Sequence, residues 1–129
     1  MESNKGFESL EAWKIAREFR KEISIISKAF PKQEDYKLKD QIDRSSRSVS
    51  ANIAEGYGRY HYKENMQACR IARGSLSETL EHLYVAIDEN YIDQEKFNQL
   101  KAKYDHCLKL INGYVLYLKN KKNGNSQHL

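Results

Sequence analysis

At 129 residues, 40% of them apolar, the chain is the size of one domain and can bury a core without disulfide or metal staples. One proline and six glycines leave few helix interruptions, and the charge scattered through the first 30 residues predicts neither a signal peptide nor a membrane span there. The net charge of +4 is uneven: residues 36–73 carry eight basic side chains against four acidic, and residues 119–129 add three lysines. Such a bias suits a polyanionic partner, and it equally suits an ordinary solvated surface.

The first predicted helix, about 9–29, places Leu10, Trp13, Ala16, Phe19, Ile23 and Ile26 on one stripe, with Phe30 after it. Pro31 ends it by pushing the preceding residue out of helical geometry. The second, about 34–56, carries Leu38, Ile42, Ser45, Val49, Ile53 and Gly56, with small residues at two seam positions. Beside that seam lies a second stripe of Gln41, Arg44, Ser48, Asn52 and Glu55, slim enough for another backbone to come near. Gly56 is expected to cap this helix at its C-terminus.

The third helix, about 62–89, carries Met66, Cys69, Leu76, Leu80, Leu83 and Ile87. Arg73 shares their sector, and an inward arginine needs a partner because a lone buried charge is costly. Glu55 and Glu78 are the candidate carboxylates and Asn52 a candidate acceptor. Together with Arg73 they form an expected structural polar network, with a ligand site as the alternative, and Gly74 would mark close packing there. The fourth helix, about 94–119, starts at an Asp93 cap and runs through Phe97, Leu100, Tyr104, Cys107, Ile111, Val115 and Leu118. Residues 121–129 read as a disordered basic and polar tail.

No segment alternates with period two for long enough to make a strand. Four long helices with short connections give an all-α, antiparallel up-down-up-down four-helix bundle over residues 1–120.

Catalytic and metal chemistry find no foothold. None of His61, His82, His106 or His128 has a carboxylate three positions before it, as a di-iron bundle requires. Cys69 and Cys107 are isolated on apolar stripes and read as buried thiols in a reducing cytosol. There is no Gly-x-Ser-x-Gly elbow, and "GYGRYH" lacks both the strand and the third glycine of a dinucleotide loop. No cofactor is expected. Nucleic-acid binding has better support: Arg44, Arg47, Arg59, Lys63 and Arg70 lie in or beside the connection between helices two and three and could contact phosphates. Tyr57, Tyr60 and Tyr62 could stack on unpaired bases. The competing reading has these tyrosines covering the bundle end and the arginines pairing with the next subunit.

Three stretches, "FESLEAWKIAREF", "QIDRSSRSVSANIAEGYGR" and "ARGSLSE", resemble the 23S rRNA-intervening-sequence proteins, with the similarity running from about Phe7 to Lys119. Ser45, Ser46 and Arg47 depart from the small apolar residues common after the motif arginine. The resemblance implies a cytoplasmic bacterial protein of no established catalytic activity that assembles into a ring, commonly a homopentamer. A distantly similar bundle, the accessory protein of diversity-generating retroelements, binds nucleic acid and a reverse transcriptase. The expected function is therefore a non-enzymatic nucleic-acid-binding accessory for structured, ribosomal RNA. The alternative is a scaffold whose ring holds a partner protein through an exposed helix face.

Overall fold

The structure, a computed structural model, describes residues 6–124. A 3-10 turn at Phe7–Ser9 leads into α1 (Glu11–Ser27), and a second at Lys32–Glu34 precedes α2 (Leu38–Gly58). Then follow α3 (Tyr62–Asp88) and α4 (Gln94–Lys122). Among the described residues there is no strand. Each helix packs on its neighbours in the chain, α4 closes back onto α1, and the backbones of the diagonal pairs stay farther apart. The expected four-helix bundle is the fold. Of the expected tail, residues 125–129 lie outside the described residues.

The helix boundaries differ from the sequence expectation for local reasons. α1 stops at Ser27 because Ala29 and Phe30 donate only three residues back, to Ile26 and Ser27 at 3.1 Å each, in a tightened turn ahead of Pro31. α2 begins at Leu38 instead of 34 because Glu34 sits in its own 3-10 turn and acts from outside the helix. Its carboxylate accepts the Leu38 amide at 3.2 Å and the Tyr91 hydroxyl at 2.7 Å. α4 continues past 119 to Lys122, where Lys119, Lys121 and Lys122 complement the negative end of the helix dipole. Its start is as expected, with Asp93 accepting the Lys96 amide at 2.8 Å.

Tyr91 closes one end of the bundle. Asn90 at φ 64 completes a left-handed helix cap, with Tyr91 donating to the Ala86 carbonyl at 2.8 Å and Asn90 to Ile87 at 3.0 Å. The Tyr91 ring packs on Phe30, 5.4 Å between centroids. Its hydroxyl holds the Glu34 carboxyl below the ordinary 4.5, and the same bond pushes the Tyr91 phenol up to about 12. The sign follows from linkage: a depressed carboxyl stabilises above its unfolded value, and a raised phenol stabilises below its own. Wild type therefore exceeds Tyr91→Phe in stability on a plateau between these limits. Denaturation curves across pH should show the gap closing as pH falls below 4.5 and again as it rises from 10 through about 12.

The core is formed by Phe19 and Ile23 of α1, Ile42, Val49 and Ile53 of α2, Leu76 and Leu83 of α3, and Leu100 and Ile111 of α4, all fully buried. Burial pushes Cys69 up to about 11 and Cys107 to about 12, so both are protonated, unreactive thiols at neutral pH. Lys103 of α4 reaches Glu22 at 2.8 Å and Glu18 at 3.5 Å on α1, joining the first helix to the last.

The α2–α3 seam is the most extensive in the bundle, and small residues make it so. Gly56 is buried inside α2, two residues short of its end, and is not the cap expected of it. A Cβ there would lie 2.7 Å from Ala68 Cβ and 2.7 Å from Asn65 Oδ1. Further along, Ser75 donates to Ser48 at 2.8 Å, and the Ser45 and Thr79 hydroxyls bond at 2.7 Å. Gly74, expected to mark close packing, does not: a Cβ there meets nothing within 4 Å. A helix reveals which residues are small, and only the neighbouring helix decides which smallness is used.

Candidate nucleic-acid interface

Helical spacing brings Arg20, Lys21 and Ser24 of α1 and its C-cap Lys28 to one edge, and Asp43, Ser46 and Arg47 of α2 to the facing edge. The groove between them has a volume of about 310 Å³. Arg20 is oriented across it by a 3.0 Å bond from Nε to Ser50 Oγ, and no described residue occupies its terminal nitrogens. The single carboxylate, Asp43, already accepts from Ser27 Oγ at 2.7 Å and Lys39 Nζ at 3.3 Å. Among the described residues Lys21, Lys28 and Arg47 have no ion-pair partner. The groove is thus a cluster of four cations with hydroxyls beside them, a surface that can bind phosphate oxygens.

The five cations expected to share one patch do not. Arg47 lies in this groove, while Arg44 points out and is paired with Asp40 at 3.0 Å. Arg59 stands fifteen residues further along, about 22 Å at the helical rise, and is paired with Glu55 at 2.9 Å. Lys63 is exposed at the α2–α3 end of the bundle. Arg70 is exposed on α3, three residues before Arg73.

The expected network of Asn52, Glu55, Arg73 and Glu78 does not form within the subunit. Arg73 is half-buried, not inward, and donates to Asn112 Oδ1 of α4 at 2.8 Å; its long stem carries the charge out of the core. Asn52 bonds back to Ser48, at 2.8 Å to the carbonyl and 2.9 Å to the hydroxyl. Glu78 faces His82 of its own helix at 3.4 Å. The side chains that do join α2 to α3 are Ser45, Ser48, Ser75 and Thr79.

At the end of the bundle where α2 turns into α3, Tyr57, Tyr60 and Tyr62 meet Tyr114 and Tyr117 of α4 around a cleft of about 290 Å³. Tyr114 and Tyr117 stack nearly parallel, 12° apart with centroids at 6.2 Å. Asn65, buried beneath, donates to the Tyr114 oxygen at 3.0 Å. The three connection tyrosines were legible as a cluster in the sequence. Tyr114 and Tyr117, like Arg20, Lys21 and Lys28, were not, because each belongs to a helix distant in sequence and only packing brings it near. Among the described residues no three His, Cys, Asp or Glu side chains converge to hold a metal, and no helix is long and apolar enough to cross a membrane.

The chain is similar in fold to a crystal structure from Bacteroides thetaiotaomicron described as a protein with unknown function from the S23 ribosomal protein family. The two share 24% identity over 81% of this chain and 97% of that one, with a TM-score of 0.75. No curated protein matches. The sequence model of one family covers residues 8–113, which span all of α1, α2 and α3 and most of α4. On that match, the chain belongs to the 23S rRNA-intervening sequence protein family.

Proposed function

We propose that this protein is a non-enzymatic nucleic-acid-binding accessory, acting in the cytoplasm as a homo-oligomer on structured RNA. One observation carries the reading. The α1–α2 groove gathers Arg20, Lys21, Lys28 and Arg47 around a carboxylate that is already satisfied. Lys21, Lys28 and Arg47, which have no ion-pair partner among the described residues, and the terminal nitrogens of Arg20 are available to displace counterions from a phosphate backbone. The family name links these chains to ribosomal RNA genes, which makes structured ribosomal RNA the first ligand to try. The outer face of α3, with Ile71 half exposed and open space over Gly74, favours a second copy packing there, and a pentameric ring would repeat the groove in each subunit. The test is a salt titration of binding to a structured RNA. Affinity should fall steeply as salt rises, by about one unit of log–log slope per phosphate contact. No binding at low salt, together with salt-insensitive capture of a protein, would favour the scaffold reading instead.

A further inference from the structure

We infer that the tyrosine-lined cleft at the α2–α3 end of the bundle is a pocket for an unpaired nucleobase. The inference rests on the nucleic-acid reading above and adds to it the part of the ligand that a phosphate groove cannot read.

Three observations converge on it. Tyr60 is held at φ 64 with 87% of its surface exposed. A bulky side chain in the left-handed region is a strained arrangement, and here the ring covers almost nothing in its own chain. Tyr62 and Tyr117 are also half exposed, so the cleft presents π-faces outward where a base can stack on them. At its floor the Tyr114 oxygen accepts from Asn65, and among the described residues the hydroxyl proton has no acceptor. A base offering a carbonyl oxygen on its pairing edge can take that proton, and only an unpaired base has the edge to offer.

Charge around the cleft fits the same ligand. Lys121 stands 5.8 Å from the Tyr117 ring centre, and Lys63 is exposed on the first turn of α3 without an ion-pair partner among the described residues. Both can meet the phosphates flanking a stacked base. The size is in keeping: about 290 Å³ is at the small end of ligand clefts, room for a ring system and not for a folded partner. Along α2, Arg47 and Tyr57 are ten residues apart, about 15 Å, so one RNA can occupy the groove and the cleft together.

The full chain is tested against a short single-stranded RNA and a blunt duplex of the same sequence. Tyr60→Asn removes the ring while asparagine tolerates the backbone, and Tyr117→Leu keeps bulk but removes the π-face. Each should weaken single-strand binding roughly tenfold and leave duplex binding nearly unchanged, and Tyr60→Asn should not lower the melting temperature. Groove substitutions, by contrast, should weaken both ligands. Equal losses on single strand and duplex in the tyrosine variants, or no loss on either, would overturn the pocket while leaving the groove reading intact. Wild-type protein that binds neither RNA would overturn both. An apolar peptide that binds wild type and competes with no RNA would also overturn the pocket as a base site.

Discussion

Gly56→Ala is expected to destabilise the protein by about 2 kcal/mol, although alanine is the better helix former. The new methyl would stand 2.7 Å from Ala68 Cβ, 2.7 Å from Asn65 Oδ1 and 3.2 Å from the Asn65 carbonyl. Two of these three atoms are fixed to the α3 backbone, so α3 itself must move away. Overpacking of that kind costs about 1–3 kcal/mol, here at the upper end, against about 1 kcal/mol gained in helix propensity. Moving α3 also stretches the Ser48–Ser75 and Ser45–Thr79 bonds, which lie on the same seam. Gly113→Ala is the control: its Cβ meets nothing within 4 Å on α4, and the same substitution should there stabilise by about 1 kcal/mol. Denaturation midpoints at matched protein concentration read both. A Gly56→Ala variant stabilised like Gly113→Ala would mean that α2 and α3 are not in close contact at Gly56.

The second large effect belongs to the groove. Replacing Lys21, Lys28 and Arg47 together by glutamine should weaken binding to a structured RNA by about 100-fold at low salt, with the fold unchanged. These three side chains have no ion-pair partner among the described residues, so their loss removes free cations and leaves no carboxylate stranded. A comparison variant, Arg44→Gln with Arg59→Gln, should lose much less for each charge removed. Those arginines already hold Asp40 and Glu55, so much of their field is cancelled before RNA arrives. Gel-shift or anisotropy titrations of the two variants side by side give the comparison. Comparable losses for each charge removed would mean that diffuse positive charge, and not the groove, attracts the ligand.

Much of the fold was legible because helical periodicity is a property of one segment at a time. The stripes through Phe19, Ile42, Leu76 and Ile111 point where the core is. Boundaries were less legible where a distant group intervenes: nothing near Leu38 announces that Glu34 will cap it from a separate turn while Tyr91 holds Glu34 in place. The two glycines play roles other than their sequence context suggests, for a related reason. Gly56 and Gly74 look alike along the chain, and only the approach of Ala68 and Asn65 makes one of them indispensable. Arg73 shared a wheel sector with core residues, but a long side chain can leave the sector its Cα occupies, and it does so to reach Asn112. The candidate site follows the same pattern. Arg47 and the connection tyrosines stand out within their own segment, whereas Arg20, Lys21, Lys28, Tyr114 and Tyr117 acquire a role only once α1 and α4 are docked.

The most direct test of a phosphate-binding groove is the slope of log affinity against log salt for wild type and for the Lys21, Lys28 and Arg47 triple variant. Three lost phosphate contacts should flatten that slope by about 2–3 units, as each displaced counterion contributes slightly less than one. Parallel lines, with the variant merely offset or superimposed, would show that these side chains release no counterions and that RNA, if bound, is held elsewhere.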